Sequence, residues 1–303
     1  MDGMQDNATT TNAIDAHRGQ VRTRSGPVSY IDTGGPGRAV LFVHGLGTSS
    51  YLWRHVIGQL DGQRRCVAVD LPLHGQTPAA AGQDFSLPGL ARFLADFCDG
   101  LQLNDIDLVA NDTGGAISQV FAAGHAERLH TLTLTNCETH DNLPPMAFLP
   151  TILLARMGLF ARLAPRMTRD VRRARKRVYG LGYQDVSNLP ENIVRAWLEP
   201  LLGTPESARE YQRLLTSLHA RDLLAAGPAL ARLRVPTLIV WGTGDIFFRR
   251  KWAYWLRDTI PGATEVVEIA GARLFFPDER AAELTAALRR HWGAHSEAAQ
   301  KDD

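Results

Sequence analysis

Cysteine is scarce in this 303-residue chain: Cys66, Cys98 and Cys137 are odd in number, far apart and set in apolar surroundings. That excludes a disulfide framework and a zinc site, and it predicts buried free thiols in a reducing cytoplasm. An excess of one charge sign is missing too. The 33 Lys and Arg against 32 Asp and Glu leave a formal net charge of +1, which offers no general attraction to nucleic acid or to a membrane surface. No apolar run reaches the roughly 18 residues of a membrane span. Residues 1–16 are polar, rich in Thr, Asn and Asp, lack the apolar stretch of a signal peptide, and read as a disordered lead-in; the polar tail 295–303 reads likewise. Gly34-Gly35-Pro36-Gly37 is no phosphate cradle, since no Lys follows and no helix opens. There is no internal repeat. What is present is ordinary for a soluble globular protein, 45% hydrophobic and 21% charged, and long enough for one large domain of the α/β kind.

Along the chain, 20–24 and 28–32 alternate as a hairpin joined by Ser25-Gly26-Pro27. The fully apolar run 39–43 and the run 66–69 suit parallel strands covered on both faces. Each ends in a polar loop, His44-Gly45-Leu46-Gly47 after the first and Asp70-Leu71-Pro72-Leu73-His74-Gly75 after the second. A helix is expected over 86–101, with Ser86 as its cap and Pro88 in its first turn. Further strands are expected at 106–110, 132–136, 237–241 and 265–269, with helices at 114–124 and 279–292. This alternation means a mainly parallel sheet flanked by helices, whose chemistry gathers beyond the carboxyl ends of the strands. From 139 to 226 no strand-like run occurs, only helical patterns broken by prolines. The division is therefore a core of 17–138 and 227–294 with a helical cap at 139–226.

The stretch Leu108-Val109-Ala110-Asn111-Asp112-Thr113-Gly114-Gly115-Ala116 is an apolar run that stops at a polar pair and opens on small residues. The pattern fits a strand, a strained turn and a helix passing close to the sheet. Asp112 stands at the apex. A carboxylate attacks carbon directly and needs no base to ionise at pH 7, and a helix N-terminus favours its charge. The plainer role for an Asp beside glycines is to cap the helix.

Three segments each end a predicted strand: His44-Gly45-Leu46-Gly47-Thr48-Ser49-Ser50-Tyr51-Leu52-Trp53-Arg54, Asn111-Asp112-Thr113-Gly114-Gly115 and Trp241-Gly242-Thr243-Gly244-Asp245. With them, the chain resembles the α/β-hydrolase superfamily over most of its length. Within it, the chain resembles the branch with an aspartate nucleophile, the haloalkane dehalogenases, epoxide hydrolases and their relatives. The resemblance implies an α/β-hydrolase fold, a helical cap, no cofactor and no metal, and a small, fairly apolar substrate. It makes Asp112 the nucleophile, Asp245 the acid that orients a histidine, and Glu138 a second candidate for that acid. The backbone amides of Leu46 and Thr113 would form the oxyanion hole. His44 is expected to organise its loop at the edge of the substrate pocket.

The departures matter as much. In the resembling family the histidine lies after the last strand, and here Ala270-Gly271-Ala272-Arg273-Leu274-Phe275-Phe276-Pro277 puts Leu274 in its place. Leucine handles no proton, and one positioned base is worth about 10²–10⁴ in rate. His140 and His74 lie in loops at the same edge and are candidate surrogates. The halide donors of dehalogenases are missing, since Thr113 and Leu46 stand where Trp and Asn would be. Tyr179, Tyr183 and Tyr211 of the insertion are candidates to polarise an epoxide oxygen. Arginines from 166 to 177 form a basic stretch, read as a solvated helix face or as an attraction for an acidic partner. The reading is an enzyme of epoxide hydrolase or dehalogenase type acting through Asp112. Its alternatives are a non-hydrolytic isomerase, cyclase or lyase and a non-catalytic receptor. Nucleic acid and membrane are not expected as partners, and a homodimer is left open.

Overall fold

The structure is a computed structural model and describes residues 13–296. Eight strands form one sheet in the order β1-β2-β4-β3-β5-β6-β7-β8. They are β1 (Arg18–Thr23), β2 (Gly26–Asp32), β3 (Val40–Val43), β4 (Cys66–Val69), β5 (Ile106–Asn111), β6 (Leu129–Thr135), β7 (Thr237–Gly242) and β8 (Ala263–Ile269). β2 pairs antiparallel with β1 and β4, and every pairing from β4 to β8 is parallel. The unbroken apolar runs occupy the middle: every residue of β3, β4, β5 and β7 is buried. The edge strand β1 alternates exposed and half-buried positions, the pattern of a strand wet on one side, and β8 is exposed at three of its seven positions. The hairpin turn falls one residue earlier than expected, because Gly26 already pairs with Thr23.

Ser86 caps the helix Leu87–Gly100 by accepting from the Gly89 amide, with Pro88 in the first turn. That helix packs on Thr113–Gly124, and both meet Ala220–Leu230; a separate group forms where Arg54–Leu60 meets Ala281–Ser296. Between β6 and β7 the described residues contain helices and no strand. Leu149–Arg156, Phe160–Thr168, Glu191–Leu202 and Pro205–Ser217 pack on one another. The expected boundary at 226 falls inside the helix Ala220–Leu230. That helix sits on the sheet-flanking helices because its apolar face, Leu223, Ala226 and Leu230, is buried there.

The ends also differ from expectation. Of the supposed lead-in, Ile14 is buried at 4% exposure and Asp15 accepts from the Tyr51 hydroxyl at 2.8 Å and from Arg18 at 3.2 Å. One apolar and one charged anchor suffice to hold that turn, while residues 1–12 lie outside the described residues. His295 belongs to the last helix, and 297–303 lie outside the described residues. Cys66, Cys98 and Cys137 are free and buried.

Candidate active site

Asp112 sits between β5 and the helix Thr113–Gly124 with φ 57° and ψ −137°, a conformation few non-glycine residues adopt. Its neighbours explain how the turn is tolerated. A Cβ at Gly114 would run into the carbonyl oxygens of Val43 and His44, and a Cβ at Gly45 into the Asp112 side chain. Glycine at both positions lets the elbow and the β3 loop touch. The Asp112 side chain makes no capping bond within its helix, so the simple cap reading fails. Instead its Oδ2 accepts from the Leu46 amide at 2.9 Å, and the adjoining Thr113 amide favours the charged form of the carboxyl group.

Above this carboxyl group lies a cavity of about 90 Å³ walled by Leu46, Leu143, Phe148, Ile152, Leu215, Leu218, Phe247, Phe248, Leu274 and Phe275. That is small beside the usual ligand pocket of roughly 300–1,000 Å³. The polar side chains on its wall are Asp112, Glu138, Tyr179 and Tyr211, and no histidine is among them. Leu274 follows β8, is 5% exposed, and has its carbonyl oxygen held by Asn111 Nδ2 at 3.1 Å.

Glu138 follows β6. Its Oε1 accepts from the Thr113 hydroxyl at 2.8 Å, and its buried Oε2 has no partner among the described residues. Burial lifts this carboxyl group to about 7. Burial and then the like charge of Glu138 raise Asp112 well above the ordinary carboxylate range, against the two amides that lower it. The helix N-terminus therefore does not by itself keep Asp112 ionised, as the sequence suggested. The two carboxyl groups titrate as a pair that resists a second negative charge near neutral pH.

The other candidate residues go elsewhere. Asp245 follows β7 and is absent from the cavity wall. Its Oδ2 accepts from Asn136 Nδ2 at 2.6 Å and its Oδ1 from the Phe247 amide at 2.8 Å, while burial raises it to about 6. His44 lies behind the wall: Nε2 accepts from the Leu71 amide at 3.0 Å, and burial holds the ring down at about 4. His74 is no surrogate base, since its Nε2 accepts from the Gly47 amide at 3.3 Å and burial holds it at about 3. His140 is half-exposed, stacked near Trp252 and Trp255 and paired with Asp141 at 3.3 Å, outside the cavity.

Tyr183 also misses the cavity, because its hydroxyl donates to Asp278 Oδ2 at 2.8 Å. Tyr179 lines the cavity, yet its hydroxyl is committed to the Gly47 carbonyl at 2.7 Å. Tyr211, the third tyrosine of the insertion, lines it with a hydroxyl that makes no hydrogen bond among the described residues. Burial and Asp112 raise this phenol above its usual value, so it keeps its proton. Among the described residues no group of three or more His, Cys, Asp or Glu is arranged to hold a metal ion.

Comparison with known proteins agrees with this architecture. The family description alpha/beta hydrolase fold matches residues 38–280. A haloalkane dehalogenase of Agrobacterium fabrum is 29% identical over 286 residues, 85% of this chain and 86% of its own. Haloalkane dehalogenase 2 of Mycobacterium tuberculosis is 28% identical over 280 residues, 88% of this chain and 92% of its own. The crystal structure of haloalkane dehalogenase DbeA from Bradyrhizobium elkani superposes with a TM-score of 0.78 at 23% identity, covering 93% of this chain and 99% of that one. An aspartate elbow under inserted helices, on a sheet of this strand order, thus places the chain within the α/β-hydrolase fold family, on its haloalkane dehalogenase-like side.

Proposed function

We propose that the chain is an enzyme that opens a small, apolar, oxygen-leaving electrophile of the epoxide type through Asp112. The observation that carries this reading is the placement of the Asp112 carboxyl group at the elbow. One oxygen is held by the Leu46 amide, and the group borders a hydrocarbon-walled cavity. The held oxygen occupies the place where charge develops later, and the other is left for attack. Oxygen is favoured over halide as the leaving atom because the side chains at Leu46 and Thr113 supply no halide donors. The Tyr211 hydroxyl, by contrast, borders the cavity uncommitted.

In this scheme ionised Asp112 attacks a ring carbon, the carbon–oxygen bond breaks, and the alkoxide takes the Tyr211 proton. Glu138, which holds the pair's proton while Asp112 is charged, returns a proton to the phenolate. Esterified Asp112 no longer repels charge, so Glu138 then draws a proton from water as the water oxygen adds to the Asp112 carboxyl carbon. Collapse releases the diol and restores Asp112 as carboxylate and Glu138 as acid. In the attacking form Asp112 carries the charge, which the Leu46 and Thr113 amides stabilise, and Glu138 carries the proton. Without an imidazole the second half is slow. A second reading has one observation in its favour: the unpartnered Glu138 Oε2 beside Asp112 also suits proton transfer without hydrolysis.

Incubating the protein with a small apolar epoxide and reading its intact mass tests the assignment. The expected result is an adduct on Asp112 that carries the whole mass of the epoxide and is absent from Asp112→Asn. Identical spectra and identical turnover for the two proteins would remove Asp112 from the chemistry. Incorporation of oxygen from labelled water into product separates hydrolysis from the proton-transfer reading.

The carboxyl pair gives a pH signature. Asp112 interacts with Glu138, Asp245 and Tyr211, and its upward shift means the charged nucleophile accumulates at higher pH than an ordinary carboxylate does. Glu138→Gln keeps an acceptor for the Thr113 hydroxyl and removes the nearer like charge. Alkylation of this variant by an alkyl bromide, which needs no proton donor, is expected to match wild type at about pH 5, where Glu138 is protonated, and to run several-fold faster at about pH 7, where Glu138 carries charge in the wild type, the midpoint of the limb having moved down. An unmoved limb would mean that the two carboxyl groups do not interact.

A further inference from the structure

We infer that the outer face of segment 146–181 is a docking surface for an anionic lipid bilayer. Nine large apolar side chains are exposed among the described residues, and seven of them fall in this segment. Met146, Leu149, Leu153 and Met157 are 77%, 47%, 60% and 60% exposed. Their spacing of three, four and four residues puts them in one stripe on the helix Leu149–Arg156 and the turn before it. Single exposed leucines need no explanation, but a contiguous stripe does.

Charge complementarity identifies the occupant. Between 146 and 181 stand nine Arg and Lys and one Asp, a net of +8 on a chain whose total is +1. Arg156, Arg162, Arg166, Arg169, Arg173 and Arg177 are exposed and enter no ion pair among the described residues. Three of them continue into an open concavity of about 1190 Å³, to which the neighbouring helices add Arg195, Arg209, itself paired with Glu206, and one acid, Glu199. Its size and charge suit phosphate-bearing headgroups. Exposed methionine and leucine beside unpaired arginine are the two ingredients of interfacial binding to anionic lipid. A second copy of the chain would set one +8 face against another, and nucleic acid would leave the apolar stripe in water.

The segment lies on a bilayer rather than across it: no single described helix is long and apolar enough to span, and Met146–Arg156 and Phe160–Arg166 bend by 115° at their break. Phe148, Ile152 and Val178, from the same segment, line the cavity over Asp112. An apolar substrate dissolved in the bilayer would thus meet the wall of the cavity directly. The docking itself does not depend on the reaction assigned to Asp112.

Cosedimentation of the full chain with vesicles tests the inference, using phosphatidylcholine alone and phosphatidylcholine with roughly a third phosphatidylglycerol. Binding to the anionic vesicles is expected to exceed binding to the neutral ones by at least about tenfold and to fall as salt screens the arginines. Replacing Met146, Leu149, Leu153 and Met157 together by serine should weaken it about tenfold or more. Arg162→Gln, Arg166→Gln and Arg169→Gln together should weaken it roughly 100-fold. All seven side chains are exposed, and thermal melts of the variants confirm folding. The wild-type lipid and salt dependence needs no variant at all. The inference is overturned if neither vesicle binds or if both bind equally. It is also overturned if the serine variant loses only a dimer seen by sedimentation velocity, or if single-stranded DNA binds as tightly as anionic vesicles and ignores the serine substitutions.

Discussion

Leu274→His is expected to speed breakdown of the Asp112 ester by about 10²–10⁴-fold, the range typical of one positioned general base. The side chain at 274 lies on the wall of the cavity that Asp112 also borders, and its backbone is tied to the elbow strand through Asn111. The buried carboxyl groups to orient such an imidazole and stabilise its charged form are Glu138, on the same wall, and Asp245, which lies off that wall and acts on Asp112 through its charge. The measurement is single-turnover decay of the adduct, followed by intact mass. Repeating it in Leu274→His with Glu138→Gln or with Asp245→Asn shows which carboxyl group serves, since only the partner's loss should cancel most of the gain. Unchanged decay in all of them would mean that the cavity has been reshaped for chemistry that needs no activated water.

Arg54→Met is expected to cost about 3–5 kcal/mol of stability, because it strands a buried carboxylate. Arg54 is fully buried, its Nη1 lies 2.7 Å from Asp278 Oδ1, and Asp278 Oδ2 takes the Tyr183 hydroxyl. These three side chains join the helix Arg54–Leu60, the inserted segment and the turn before the last helix. Pairing Arg54→Met with Asp278→Leu should restore most of the loss, since a hydrocarbon pair of similar volume often matches a buried ion pair. Denaturant midpoints read both effects, with unchanged slopes confirming that stability alone moved. A loss below about 1 kcal/mol for the single variant, the usual size for an exposed pair, would show that water reaches Asp278.

Comparing these sites with the bare sequence shows where local pattern sufficed. The runs at β3, β4, β5 and β7 are apolar because both faces are covered, and that signal is local. So is the elbow pattern of small residues, in which Gly114 abuts the β3 loop and Gly115 the Cys137 side chain. The Ser86 cap and the first-turn Pro88 were readable for the same reason. What could not be read depends on partners far along the chain. Tyr183 and Tyr211 look equivalent as insertion tyrosines, yet Asp278 claims the first and leaves the second over Asp112. His44 and His74 lie in loops at the right edge, and only the fold shows their nitrogens committed to the Leu71 and Gly47 amides. The segment boundary at 226 was misjudged because a helix continuing a helical stretch gives no sign of which layer it joins. A net charge is silent on local charge as well: a total of +1 includes a +8 segment, since a sum carries no positions.

The bond from Asn111 Nδ2 to the Leu274 carbonyl oxygen is made to main chain, so it survives whatever residue 274 becomes. The socket that presents this position is thereby uncoupled from the identity of its occupant. A lineage carrying such a socket can exchange proton-transferring function for hydrocarbon, or regain it, in a single step without rebuilding the loop. Reversibility of that kind belongs to the backbone geometry and holds whatever chemistry the cavity performs.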